Sequence, residues 1–330
     1  MWLRCAYTHS HCYRGGAADR RIVPAPPREA ATHHCGPCAG GIEADETVPR
    51  KRGSCGQRRM EGARGARRRA RRKCADVTAA GRLTYVGHAT VLVELDAMRI
   101  LTDPVLRARI AHIRRHAPMP AMDRLMPLDA VLISHAHADH LDLPSLRMVS
   151  GGATVVAPRG CESLLRRAGA RRIVELEEGE RCRMGAVTVE AFRADHDGRR
   201  HPLARRTAAL GYLLSGATRV YFAGDTDLFA GMAELAGRVD VACLPVAGWG
   251  PRLPPGHLNP ARAARAVALI RPAIAVPIHW GTLRSIGARP AAGVPEPARA
   301  FASAVSALGL DVVPAILRPG ESIELAASRG

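Results

Sequence analysis

Between residues 130 and 141 the chain reads Ala-Val-Leu-Ile-Ser-His-Ala-His-Ala-Asp-His-Leu, and no other stretch limits so tightly what it can become. Ala130–Ile133 has the apolar, β-branched character of a buried strand. It runs directly into His135, His137, Asp139 and His140, four potential metal ligands within six residues. Imidazoles and a carboxylate suit Zn²⁺ or a similar first-row ion. The alternation lets His135 and His137 converge on one ion while Asp139 and His140, round the turn, face a second. A solvated His-rich loop is the plain alternative, and a strand feeding straight into the four donors argues against it.

One such cluster cannot complete two coordination spheres, so further donors must come from downstream. Three candidates also follow apolar strands: His196 after Val187–Phe192, Asp225 after Val220–Gly224, and His279 after Ala275–Ile278. A polar side chain at a strand end sits where several strands can aim into one cleft. Each alone reads equally well as a satisfied structural residue; with the His cluster they point to a common site.

Those strands belong to a longer pattern. From Arg82 onward, short β-branched runs (Leu83–Val86, Thr90–Leu95, Arg99–Thr102, Ala130–Ser134, Thr154–Ala157, Val187–Ala191, Ala209–Leu214, Arg219–Ala223, Val239–Pro245, Ile274–Ile278) alternate with helical stretches. Helices are expected over Gly160–Ala168, Leu228–Leu235, Pro260–Ile270 and Pro297–Leu308. The third is well signalled: Asn259 can cap it, Pro260 suits its first turn and Pro272 follows its end. Many strands with helices between them predict one mixed α/β layered domain over residues 81–330.

Residues 1–80 follow a different grammar. They hold Pro- and Gly-rich patches, six of the nine cysteines and an Arg run from Arg64 to Lys73, with no strand or helix period. Such a stretch buries too little apolar surface to offset its ordering entropy, so a disordered basic extension is expected. Cys35-Gly36-Pro37-Cys38 imitates a redox motif but lacks the strand before it and the helix after it. Met60 offers a second possible start. The net charge of +18 would ordinarily suggest nucleic acid or anionic membranes as partners. Lys51 and Lys73 are the only lysines, however, and arginine serves alone in an Ala-, Gly- and Pro-rich background. The charge therefore reads as coding bias as much as selection, and no nucleic-acid partner is required. Cys161, Cys182 and Cys243 read as free thiols in a reducing compartment. With no apolar run long enough to span a bilayer and no secretory leader, a cytoplasmic protein is expected.

Taken together, His135-x-His137-x-Asp139-His140, His196, Gly224-Asp225-Thr226 and His279 resemble the metallo-β-lactamase superfamily, over residues 82 to about 285. The resemblance implies an α/β (α+β) fold, a four-layer αββα sandwich with the site along one edge of two sheets. It implies two divalent metal ions, zinc first and Mn or Fe as alternatives. His135, His137 and His196 would bind one, Asp139, His140 and His279 the other, and Asp225 would bridge them. Asp103, in Leu101-Thr102-Asp103-Pro104, would support the ligands from behind. Four segments, Tyr85–Glu94, Leu101–Pro104, Gly256–Pro260 and Ile278–Thr282, look most like the N-acylphosphatidylethanolamine phospholipase D and ascorbate-6-phosphate lactonase group. By that match His88 and His257 line the cleft without being primary ligands.

The expected chemistry is hydrolysis by a water that two shared ions acidify. Asp225, His257 and Asp139 are the catalytic candidates; His88, Arg199 and Arg200 are the substrate contacts, the two arginines as clamps for an anionic group. The substrate is expected to be a small molecule or a lipid carrying a phosphodiester, with peripheral membrane contact compatible. A lactone or other ester of a small anionic metabolite is the alternative. From a different class, a nucleic-acid-binding protein with a structural metal site is the third reading. Loops such as Ala108–Leu125 and Trp249–Pro255 would shape the pocket, with Ile110, Ile113, Met119, Met122 and Met126 available for an acyl pocket or for core packing.

Overall fold

The computed structural model describes residues 80–328, apart from positions 202, 205, 251–252 and 288–295. The basic extension, with its Cys35–Cys38 motif and Arg run, lies outside the described residues. Two seven-stranded sheets carry the domain. In the first, Gly81–Gly87 (β1), Thr90–Leu95 (β2), Met98–Thr102 (β3), Ala130–Leu132 (β6), Thr154–Pro158 (β7) and Arg172–Leu176 (β8) lie side by side, and Ser322–Leu325 (β17) pairs with the outer edge of β1. The second runs Arg181–Met184 (β9), Val187–Arg193 (β10), Leu210–Ser215 (β11), Arg219–Phe222 (β12), Val241–Pro245 (β13), Ile274–Ile278 (β14) and Val313–Pro314 (β16). A small third sheet joins Arg109–Ile110 (β4), Ile113–Arg115 (β5) and Leu283–Ser285 (β15).

Strand alternation explains the layering. In β2, Val91, Val93 and Leu95 enter the cluster between the large sheets, where they meet Val189, Tyr212 and Leu214 of the second sheet. Leu92 turns the other way and packs with Leu101, Val131 and Ile133. That outer surface is covered by Leu146 and Val149 of the helix Leu143–Val149 (α2) and by Leu165 of Glu162–Arg167 (α3). A single turn at Met122–Leu125 (α1) adds Leu125. Beyond the second sheet, Pro260–Ile270 (α4) and Glu296–Ser306 (α5) bury Ala263, Ala266, Val267, Ile270, Phe301 and Val305. The result is the αββα sandwich expected from the motifs.

Strand direction positions the chemistry. β12, β13 and β14 run parallel, as do β3, β6 and β7, so their carboxyl ends emerge together. In open sheets such ends are where ligands bind. α4 has the limits that its capping signals predict: the Asn259 side chain accepts from the Arg262 N–H at 2.9 Å, Pro260 opens it and Arg271 closes it in the left-handed region at φ 52°. Leu228–Leu235, expected as an α-helix, is instead a 3₁₀ helix over Ala230–Leu235. Its Gly231 and the short span between two strands favour the tighter winding. The loop expected over Ala108–Leu125 contains the β4–β5 hairpin, and Met122 and Met126 pack into the outer core while Met119 stays exposed. Cys161, Cys182 and Cys243 are free thiols.

Candidate metal centre

Asp103, at the end of β3, is fully buried and accepts three hydrogen bonds: from Ser134 N at 2.7 Å, from Ser134 Oγ at 2.6 Å and from His140 Nδ1 at 2.7 Å. It thereby fixes both ends of the His135–His140 loop. Arg200 reinforces that loop, donating from Nη1 to the carbonyls of Ala136 at 3.0 Å and Leu141 at 2.8 Å. Gly224 lies against it in a left-handed conformation, φ 61°, and a Cβ there would fall 2.5 Å from that of Ser134. Only glycine fits both conditions.

One plan recurs among the histidines. His135, His140, His196 and His279 each set one ring nitrogen against a partner behind it and turn the other inward. His135 Nδ1 faces Ser134 Oγ at 2.9 Å, which is itself donating to Asp103. His196 Nδ1 donates to Gly256 O at 2.8 Å, His279 Nδ1 to Ala247 O at 2.6 Å, and His140 Nδ1 to Asp103. The inward nitrogens then crowd together. His137 Nδ1 is 2.9 Å from His135 Nε2 and 3.1 Å from His196 Nε2, while His140 Nε2 is 3.3 Å from His279 Nε2. Donor atoms from His135, His137 and His196 form one group close enough to grip an ion; those of His88, Asp139, His140 and His279 form another. Asp225 closes a third group with His135 and His140, and a fourth with His196 and His257.

These donors fit metal ions. Nitrogens held about 2.0–2.1 Å from a tetrahedral ion stand slightly over 3 Å apart, the spacing found here. Asp225 Oδ1 is buried with no hydrogen-bond partner, although its Oδ2 lies 3.1 Å from His140 Nε2 and 3.3 Å from both His257 Nε2 and His279 Nε2. A buried carboxylate oxygen left bare is costly unless a cation meets it. Protonation states agree. Burial pushes His135 well below the ordinary histidine value, His137 down to about 4 and His279 to about 3, so these rings are neutral, the form that binds a metal. Burial would raise Asp225, but His279 and His140 overcome it and hold the carboxyl well below its usual range. His140 goes the other way: burial lowers it, but Asp225, Asp139 and Asp103 together raise it well above 6.5. An ion bound at its Nε2 would take the place of that proton.

His88 sits at φ 58° yet is buried, and its Nε2 is 3.1 Å from Asp139 Oδ2. Expected only to line the cleft, it stands within ligand range of the second group. His257 donates from Nδ1 towards Pro254 O at 3.1 Å and faces Asp225 with Nε2. Arg199 and Arg200, expected as anion clamps, are turned elsewhere. Arg199 pairs with Asp197 at 2.5 Å on the surface, and Arg200 is spent on the carbonyls of the ligand loop. Trp249 was not foreseen individually: its indole N–H donates to Asp139 Oδ2 at 3.1 Å. A tryptophan between Gly248 and Gly250 in a loop was the signal available. The donors open onto a cavity of about 620 Å³ whose lining combines His137, Asp139, Asp225, His257 and His279 with the apolar Ile110, Ile113, Ala138, Trp249, Leu253 and Pro254.

A family model described as beta-lactamase superfamily domain matches residues 98–280. A UPF0173 metal-dependent hydrolase of Methanopyrus kandleri is 34% identical over 253 residues, 74% of this chain and 99% of that one. The N-acyl-phosphatidylethanolamine-hydrolyzing phospholipase D 1 of Caenorhabditis elegans is 30% identical over 229 residues, 60% of this chain and 63% of that enzyme. The chain spans 59% of the length of the mycobacterial relatives it matches at 33% identity. Among solved structures, Igni18, a metallo hydrolase from Ignicoccus hospitalis, aligns with a TM-score of 0.58 at 24% identity, covering 75% of this chain and 99% of its own, a likeness of fold. No helix among the described residues is long and apolar enough to cross a membrane. The motif, the sandwich and the donor cluster converge with these matches: the chain belongs to the metallo-β-lactamase superfamily.

Proposed function

We propose that the chain is a phosphodiesterase working with two divalent ions, zinc first, on a substrate that carries an apolar group. His135, His137 and His196 would hold one ion, Asp139, His140 and His279 the other, and Asp225 would reach both. The observation that carries the reading is the shared wall: the same Asp139, Asp225 and His279 that complete the donor groups also face an apolar cavity. A structural metal site is closed on all sides, whereas a catalytic one keeps an open position. The nucleic-acid reading with a structural site loses its support on that ground.

Ions bound there supply Lewis-acid polarisation of the scissile group and acidify a shared water. The protein's own part is positioning and proton handling. Asp225 lines the cavity beside His257, where its carboxylate can orient the attacking water. His257 is lowered by burial but raised more by its hydrogen bond to Asp225, so its net shift is upward, towards the protonated form. It lies beside Asp225 at the cavity wall, where it can protonate a departing oxygen. Apolar walls exclude water and strengthen each of these interactions. Similarity to the nematode phospholipase D supports a phosphodiester as the bond cleaved.

One observation favours hydrolysis of a neutral ester or lactone as the second reading: among the described residues no arginine or lysine lines the cavity. A neutral substrate needs none. The two are separated by assaying the metal-loaded chain on bis(4-nitrophenyl) phosphate, a 4-nitrophenyl ester and a sugar lactone, with Asp225→Ala alongside. Phosphodiester turnover that falls at least about 100-fold in the variant is the expected result. Ester or lactone turnover alone establishes the second reading, and no turnover of any of the three by metal-loaded protein sinks both.

A further inference from the structure

The small sheet that walls the cavity has two unlike faces. Register pairs Ile110 with Ile113, and Arg109 with Arg114, which in turn pairs with Arg284. Alternation sends Ile110 and Ile113 inward, where both are buried and line the cavity. The three arginines form a row across the opposite face, Arg109 and Arg114 exposed and Arg284 half-buried. Like charges in directly opposed positions repel, and among the described residues none of the three forms an ion pair. Arg109 Nε has only the Ala111 carbonyl at 2.8 Å. Partial burial, then Arg284 and Arg114, depress the His116 pKa, which adds a fourth nitrogenous group to the cluster. Apolar atoms share this rim. Ile286 is 53% exposed, its N–H donates to His112 O at 2.8 Å, and Ala111 is exposed at the hairpin turn that borders the cavity.

A row of uncompensated guanidinium groups next to an exposed isoleucine calls for a partner both anionic and apolar. We propose that this face docks on an anionic lipid bilayer, with Arg109, Arg114 and Arg284 against headgroup phosphates and Ile286 at the interface. The arginines point away from the cavity, so they cannot clamp an anionic group seated inside it; a planar row suits an extended surface. Basic residues interleaved with apolar ones are the pattern of interfacial binding. Single-stranded nucleic acid would call for stacking aromatics, and among the described residues the large exposed hydrophobics are all aliphatic or methionine. The inference concerns which face meets a membrane and does not rest on which bond is cleaved.

The test is co-sedimentation of the full chain with vesicles of phosphatidylglycerol and phosphatidylcholine in equal parts, against phosphatidylcholine alone. Binding to the anionic vesicles should fall on the order of 100-fold in R109Q/R114Q/R284Q, about fivefold per arginine near the surface. Removing three exposed arginines elsewhere, R172Q/R265Q/R299Q, should change it by less than about threefold. Thermal melting and turnover of the soluble phosphodiester should match the parent in both. If the first triple variant melts early, Arg109→Gln and Arg284→Gln singly, about fivefold each, take its place. Unchanged vesicle binding in the first triple, an equal loss in the second, or a loss confined to binding of a single-stranded RNA probe overturns the proposal.

Discussion

At the scale of the residue, the candidate metal centre depends on groups outside the proposed ligand set. Asp103 orients His140 and holds Ser134, which in turn faces His135. Asp103→Asn keeps the shape but presents an amide N–H₂ where a carboxylate accepted from an imidazole. Metal affinity should fall by about 10–100-fold, read by competition with a chromophoric chelator, and unchanged affinity would refute the role. Which residues were legible follows from distance along the chain. His135, His137, Asp139 and His140 declare themselves because they follow a strand at fixed offsets. The contacts of Asp139 with His88 and Trp249 span 51 and 110 residues, so nothing local announces them. Arg199 and Arg200 were legible as charge but not as direction, since the carbonyls of Ala136 and Leu141 that claim Arg200 belong to a remote loop.

At the scale of the element, local chemistry sets some boundaries and tertiary contact sets others. α4 begins and ends where the sequence signals lie, because its cap is made by a neighbour three residues away. Asn259→Ala should cost about 1 kcal/mol in thermal or urea unfolding without altering the metal content. The β4–β5 hairpin was invisible: its strands have two and three residues, and its turn uses Ala111 at φ 46° instead of a glycine. It forms because Ile110, Ile113 and Leu283 bury one face against Val105. Gly224→Ala is the harsher element-level change. The added methyl meets the Ser134 side chain, so about 1–3 kcal/mol of stability should be lost together with metal affinity. A variant with native melting and native affinity would show that the turn yields freely.

At the scale of the whole molecule, two sheets are held apart from water by their apolar faces and brought together at one edge by a charged cluster. The sandwich and the strand-end position of the donors were legible from alternation and from motif spacing; the order of strands was not, because pairing partners such as β1 and β17 lie at opposite ends of the domain. The cluster makes stability depend on pH. His137 and His279 titrate near 4 and 3 in the folded protein, against about 6.5 unfolded. The unfolded chain therefore binds more protons through that interval, and the metal-free protein should lose stability as pH falls from about 6.5 towards 4. His140 and His257 are shifted upward. Their contribution is fully present below about 6.5 and is lost as pH rises through their folded values, so it does not offset the acid loss. Melting in the presence of a chelator should peak near pH 6.5; a flat profile between 4 and 7 would contradict the neutral-ligand assignment.

The central claim is that these seven side chains hold two ions, and a metal count tests it most directly. The full chain, loaded with Zn²⁺ and dialysed, would be analysed for metal per chain beside Asp225→Ala. The account predicts two ions per chain in the parent and one or fewer in the variant, which has lost the carboxylate proposed to reach both ions. A parent that retains no metal would contradict it outright, and one that retains a single ion unaffected by the substitution would contradict the bridging role of Asp225.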